Sequence, residues 1–203
     1  ARHATSKLTS AEDLFNIRTL GFRGEALASI ASVSRFTITS RTREEQAGAR
    51  LIVEGGVLHG DPAPIGAPAG TVVRVEDLFY NVPARRKFLK TDTTERRQID
   101  DFVTRYALAY PQVRFQLTQE GRTVLQTTGS GDRREVLASL FNAEIARQML
   151  EVNAEYDEYR VYGFISPISL TRANRQGITL FINGRWVQDL SLIHISEPTR
   201  LRR

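Results

Sequence analysis

Leu20-Gly21-Phe22-Arg23-Gly24-Glu25-Ala26-Leu27-Ala28-Ser29-Ile30-Ala31-Ser32-Val33-Ser34 decides the fold. Two glycines flank an aromatic and an arginine, and a helical pattern follows directly. Leu27, Ile30, Ala31 and Ser34 recur at i, i+3, i+4 and i+7, with Val33 at the edge of that face. Gly21 and Gly24 permit positive φ or close approach of a ligand to the backbone. The amides that open a helix have no intrahelical acceptors, so the turn after Gly24 forms a natural anion site. A plain glycine turn ahead of a core helix has the same pattern, and the rest of the chain decides between the two.

Upstream, Ala1-Arg2-His3-Ala4-Thr5-Ser6-Lys7 precedes Ser10-Ala11-Glu12-Asp13, which reads as a capped helix start with acidic residues in its first turn. Downstream, Arg35 to Arg43 alternates Phe36 and Ile38 with Thr37 and Thr39, a strand pattern. Ala49 to Val53 is a second strand, closed by Gly55-Gly56. Asp61 to Pro68 reads as a Pro/Gly/Ala loop, and Gly70 to Leu78 as a strand rich in β-branched residues. Pro83 suits the first position of a helix. Glu95 to Tyr110 predicts an amphipathic helix packed through Ile99, Phe102, Val103, Tyr106 and Tyr110. Val113–Thr118 and Thr123–Thr128 pair across Glu120-Gly121. Thr128 to Asp132 is the linker candidate. Beyond it come a helix through Val136, Leu137, Leu140 and Phe141, hairpin strands Met149–Val152 and Tyr159–Ile165, a polar loop Ile168–Gln176, and a strand Ile178–Ile182 before Asn183-Gly184. Grouped strands with interspersed helices define an α+β class.

The chain has 203 residues and no cysteine, which excludes a disulfide framework and Cys-ligated zinc. It holds no apolar run as long as a membrane span. The formal charge is +5, and 25 of the 28 basic residues are arginine, whose planar fork suits phosphate. Residues 190–203 contribute +2 of that charge, leaving +3 for residues 1–189. So mild a balance does not by itself establish a nucleic-acid partner. Three histidines, His3, His59 and His194, show no metal-ligand spacing.

Four segments stand in one order: Arg2-His3-Ala4-Thr5-Ser6-Lys7; Gly21-Phe22-Arg23-Gly24-Glu25-Ala26-Leu27; Gly70-Thr71 leading to Leu78-Phe79-Tyr80-Asn81-Val82-Pro83-Ala84-Arg85; and Phe181-Ile182-Asn183-Gly184-Arg185. Together they closely resemble the MutL family of DNA mismatch repair proteins, within the GHKL-type ATPase superfamily. The resemblance runs from Ala1 to about Asp189. It implies the C-terminal part of a GHKL-type ATPase α/β sandwich over residues 1–128, a linker at 129–132, and a small ribosomal-protein-like βαβ transducer over 132–189, both domains incomplete. Residues 190–203 resemble a translated sequencing adapter and are expected to lie outside the fold.

The same resemblance implies ATP and Mg2+ as cofactors and slow ATP hydrolysis by the intact protein. ATP contacts would come from Thr5, Ser6, Lys7, Gly21, Phe22, Arg23, Gly24, Glu25, Ala26 and Leu27, with Thr71 beneath the adenine. The general base and the metal ligand would lie upstream of Ala1, so Glu25 is expected in the lid turn, no catalytic residue is assigned, and the chain alone is expected to be inactive. Arg172, Arg175 and Arg185 would contribute to a groove binding single- or double-stranded DNA without sequence preference. A MutS-type partner, an ATP-dependent homodimer, no membrane and a cytoplasmic site of action, nucleoid-associated in a bacterium, complete the implied picture. The competing classes are a non-catalytic DNA-binding scaffold and another GHKL ATPase such as a chaperone or type II topoisomerase.

Overall fold

The computed structural model describes residues 5–7, 10, 19–170 and 177–188. The expected helix after Ser10, most of the polar loop 171–176 and the tail from Asp189 lie outside those residues. The chain forms two compact units, Ala1–Thr91 and Asp92–Arg203.

In the first unit, helix α1 (Ala26–Ala31) leads into strand β1 (Arg35–Arg41). Strands β2 (Gly48–Glu54), β3 (Val57–Leu58), β4 (Ala63–Ile65) and β5 (Gly70–Glu76) complete an antiparallel sheet in the order β3-β2-β1-β5, with β4 also on β2. In the register, Phe36 faces Val53 on one side and Val75 on the other, and Ser40 faces Thr71. Phe36 is buried, as the alternation predicts. β5 is solvent-exposed along its whole length, its valines included. A short helix α2 (Pro83–Arg86) follows, with Pro83 in its first turn.

Two expectations need correction here. The stretch 61–68 is not all loop, because Ala63–Ile65 adds to the edge of β2, with Pro64 opposite Ala49. An edge position tolerates proline, whose missing N–H is not needed there. Helix α1 stops at Ala31 instead of running to Ser34. Ser34 is fully buried, but its hydroxyl donates to the Ile30 carbonyl at 2.7 Å, so it closes the helix end instead of packing along its face. Leu27, expected on that face, is 49 % exposed.

In the second unit, α3 (Asp92–Ala109) precedes hairpin β6 (Gln116–Gln119) and β7 (Arg122–Gln126). The Glu120-Gly121 turn has φ of 49° and 75°, the left-handed pair that a tight hairpin demands. Next come α4 (Arg133–Phe141), α5 (Ala143–Gln148) and two further hairpins. These are β8 (Leu150–Tyr156) with β9 (Tyr159–Ile165), and β10 (Leu180–Ile182) with β11 (Arg185–Val187). Ala107, Leu125 and Val136 form the core, with Val103, Leu108, Phe115, Leu117 and Leu140 packed on it.

The packing face of α3 is therefore turned from the predicted stripe. Ile99 and Phe102 are 48 % and 58 % exposed. The hairpin lies instead along Arg96, Asp100, Val103 and Ala107, where Arg96 pairs with Glu120 at 2.5 Å and Gln119 donates to Asp100 at 2.7 Å. The aromatic residues of the predicted stripe meet one another: Phe102 is tilted against Tyr106 and Tyr106 stacks on Tyr110, with centroids 4.7 and 6.3 Å apart.

The stretch 128–132 lies inside the second unit and is hydrogen-bonded. Thr128 and Ser130 hydroxyls donate to the Glu135 carboxylate at 2.8 and 2.6 Å. Asp132 caps α4 by accepting from the Arg134 amide at 2.7 Å. Asn142, at φ 115°, ends α4 and caps α5 through the Ile145 amide.

Those two hydroxyls hold the Glu135 carboxyl below its ordinary value of 4.5. A depressed folded-state value contributes stability above the unfolded value and loses it as the pH falls through the folded one. Glu135→Gln should therefore flatten the loss of stability below about pH 4.5 in acid denaturation curves. Val136→Ala, at a side chain 2 % exposed, should cost about 2 kcal/mol in urea denaturation.

Candidate functional site

The predicted ATP contacts fall on three pieces of the first unit. In the first, the Lys7 amide donates to the Thr5 hydroxyl at 3.1 Å, a local turn that leaves the Ser6 and Lys7 side chains exposed. In the second, the Thr19 hydroxyl donates to the Gly21 carbonyl at 2.9 Å. Among the described residues, apart from its chain neighbours, no heavy atom lies within 4 Å of where a Cβ on Gly21 would sit. The Arg23 guanidinium lies 5.9 Å from the centre of the Phe22 ring. Gly24 has φ 64°, a conformation that costs L side chains energy, and Glu25 follows at the N-cap of α1. Ala26 and Leu27 are exposed at the helix start.

The third piece is Thr71, exposed on β5. Its hydroxyl is hydrogen-bonded to that of Ser40 on β1 at 2.8 Å. Sequence reading missed Ser40. The antiparallel pairing of two strands ending at Arg41 and starting at Gly70 was the available signal.

A second group missed by sequence surrounds the C-terminal end of α1. The segment from Asp77 to Val82 makes a corner between β5 and α2. Asp77 and Phe79 both have positive φ, 51° and 65°. The Phe79 amide donates to the Val33 carbonyl at 2.6 Å, and the Asn81 side-chain amide to the Ser32 carbonyl at 3.0 Å. Arg35 pairs with Asp77 at 3.5 Å and lies 5.6 Å from the Tyr80 ring centre. The Gly55-Gly56 turn closes the other side, donating to Ser34 and Ala31 at 3.1 and 3.0 Å. A Cβ on Gly55 would come within 2.7 Å of Tyr80 Oη and 3.1 Å of Asn81 Nδ2.

Of the arginines assigned to DNA, Arg185 is half-buried on β11 opposite Ile182, and Arg172 and Arg175 lie outside the described residues. Trp186, next to Arg185, carries the Arg105 guanidinium 4.1 Å from its ring centre, which ties β11 to α3. His59 lies 3.7 Å from Glu54 at the surface, and His3 and His194 fall outside the described residues. Among the described residues no group of three or more His, Asp or Glu is placed to hold a metal, and no helix is long and apolar enough to cross a membrane.

This α+β fold is that of the GHKL-type ATPase domain. A solved Aquifex aeolicus MutL ATPase domain complexed with ADP is 35% identical and covers 92% of this chain, 69% of that one being matched, at a TM-score of 0.71. A second structure, the ATPase domain from the bacterial mismatch repair endonuclease Aquifex aeolicus MutL, is 34% identical over 92% of this chain and 66% of that one, at a TM-score of 0.66. The DNA mismatch repair protein MutL of Geobacillus kaustophilus is 48% identical over 196 residues, 97% of this chain and 31% of that protein. That of Streptococcus sanguinis is 45% identical over 191 residues, 94% of this chain. The model of the family described as DNA mismatch repair protein, C-terminal domain, matches residues 137–198, a match that runs past Asp189. The chain belongs to the MutL family of DNA mismatch repair proteins. It spans about three-tenths of the length of these curated relatives.

The double-glycine turn gives the most direct check on the site's framework. Gly55→Ala forces an L side chain to φ 58° and into Tyr80 and Asn81. It should destabilise the protein by at least about 1 kcal/mol in urea denaturation. Gly60→Ala, also at positive φ but with open space around it, should cost less.

Proposed function

We propose that the intact protein is a slow, Mg2+-dependent ATPase of DNA mismatch repair, and that residues 5–7 and 21–27 are its phosphate contacts. The observation that carries this is Gly24, held at φ 64° directly before α1, in a fold that matches an ATPase domain solved with ADP. The residues suit the ligand. Thr5 and Ser6 supply neutral donors and Lys7 a point charge. The open space at Gly21 and the positive φ of Gly24 let main-chain amides approach an anion closely. Thr71, with Ser40 as its partner, is the polar contact toward the adenine. ATP supplies the phosphoryl group and the anionic charge that gathers these donors. Positioning and electrostatics then carry phosphoryl transfer.

Glu25 acts in the lid turn and not as the base. In the family resemblance the base and the metal ligand belong to a segment upstream. Purified as 203 residues, the chain should therefore not turn over ATP, and steady-state hydrolysis above background would contradict this. ATP binding orders the lid and brings two copies of the intact protein together, an order–disorder switch driven by phosphate contacts. Arg172, Arg175 and Arg185 bind DNA backbone, and a MutS-type protein in the cytoplasm delivers the mismatch signal.

Two measurements on the full-length protein test these roles. Gly24→Ala should weaken equilibrium binding of a non-hydrolysable ATP analogue about tenfold or more, since a strained turn misplaces the amides that follow it. Unchanged affinity would remove the lid from the site. Reversing Arg172, Arg175 and Arg185 to glutamate should flatten the dependence of log K on log salt for DNA by up to about 0.9 per lost phosphate contact. An unchanged slope in fluorescence anisotropy would remove these arginines from the interface.

A further inference from the structure

The carbonyls that end a helix have no partners within it. At the ends of α1, Ser29 donates to the Glu25 carbonyl, Ser32 to Ala28 and Val33 to Ile30. The next four carbonyls in sequence, Ala31, Ser32, Val33 and Ser34, are all bonded by groups from outside the helix. Gly56 donates to Ala31, Asn81 Nδ2 to Ser32, Phe79 to Val33 and Gly55 to Ser34, at 3.0, 3.0, 2.6 and 3.1 Å. Two turns distant in sequence thus interleave their donors on one run of backbone.

Three of these donors are main-chain amides. Asn81 supplies the side-chain donor of the set. Its Nδ2 sits beside the Gly55 turn, 3.1 Å from where a Cβ on Gly55 would lie. The corner keeps two L residues, Asp77 and Phe79, in the left-handed region, a conformation that persists only where surrounding contacts enforce it. The helix start contrasts with this. Gly24 is left-handed, and Ala26 and Leu27 are exposed.

We propose that Asn81 is a positioning residue for nucleotide phosphate: with the amides of Gly55, Gly56 and Phe79 it fixes the C-terminal end of α1 to the sheet, so that lid rearrangement pivots at Gly24 and the helix arrives at the phosphate in one orientation. This rests on the assignment of residues 21–27 as the phosphate contact. The corner is then part of the nucleotide site although none of its side chains touches the ligand.

The test uses the full-length protein and Asn81→Asp, which keeps the shape and replaces a donor with an acceptor facing the Ser32 carbonyl. Affinity for a non-hydrolysable ATP analogue should fall about fivefold, the size of one hydrogen bond. Affinity for adenosine monophosphate, measured by competition, should not change. Equal weakening of both ligands, or of neither, would overturn the proposal. The underlying site assignment fails differently, with Gly24→Ala also leaving the analogue's affinity unchanged. Amide hydrogen exchange on the unsubstituted protein gives a second readout that does not depend on the variant folding. The amides of Gly55, Gly56 and Phe79 should be equally protected with and without the analogue, while those of residues 25–28 slow only when it binds. Protection of Gly55, Gly56 and Phe79 that arises only on nucleotide binding would place the pivot at the wrong end and refute the proposal.

Discussion

Four carbonyls in a row, from Ala31 at the end of α1 to Ser34 just before β1, take donors from distant segments of the first unit. Each such bond is worth only about 1 kcal/mol net, but a buried carbonyl left without a partner costs more than that. Meeting the demand sets the local geometry. The β2–β3 connection places two glycines at φ 58° and 88°, where L side chains are strained. The end of β5 turns sharply through Asp77 and Phe79, and the Phe79 amide meets the Val33 carbonyl. The left-handed residues cost on the order of 1 kcal/mol each. The Arg35–Asp77 pair, the Arg35–Tyr80 stack and the hydrogen bonds to α1 together offset that strain.

The second unit solves its helix ends by different means. Its α4 and α5 are short and carry their own side-chain caps, Asp132 and Asn142. Its core is small, and arginines stacked on aromatic rings extend it. Arg133 lies over Tyr162, Arg134 over Phe164 and Arg105 over Trp186. Arg134 also donates to the Ala146 and Met149 carbonyls, which joins the end of α5 to the start of α4. Three of the 25 arginines therefore have structural work inside this unit, and Arg185 shares its strand with one of these stacks.

The sequence revealed most where a residue type has one local meaning. Glu120-Gly121 and Asn183-Gly184 were legible as turns because glycine and asparagine tolerate positive φ, and both sit there. The strand alternation around Phe36 and the start of α1 after Gly24 were legible for similar reasons. What stayed hidden depends on partners far away in the chain. After Ala31 the helix gives way to a stretch whose carbonyls are bonded by residues 55, 56, 79 and 81, which no window around residue 31 contains. The α3 stripe misled because aromatic residues spaced for a helix face can stack on one another, while the smaller Ala107 meets the hairpin. Asn81 stood in the sequence only as part of a family motif, and its bond to the Ser32 carbonyl was not legible there. The family motifs named the expected contacts residue by residue, and the Ser40–Thr71 pair came only from strand register.

The central claim is that this chain supplies the phosphate-contacting lid of a MutL-family ATPase. Photoaffinity labelling of the full-length protein with an ATP analogue reactive at its γ-phosphate, followed by peptide mapping, addresses it most directly. Crosslinks confined within this chain to residues 5–7 and 21–27, and competed by ATP, are the predicted result. Crosslinks in the second unit, between Asp92 and Gln188, with none in the glycine stretch would contradict it.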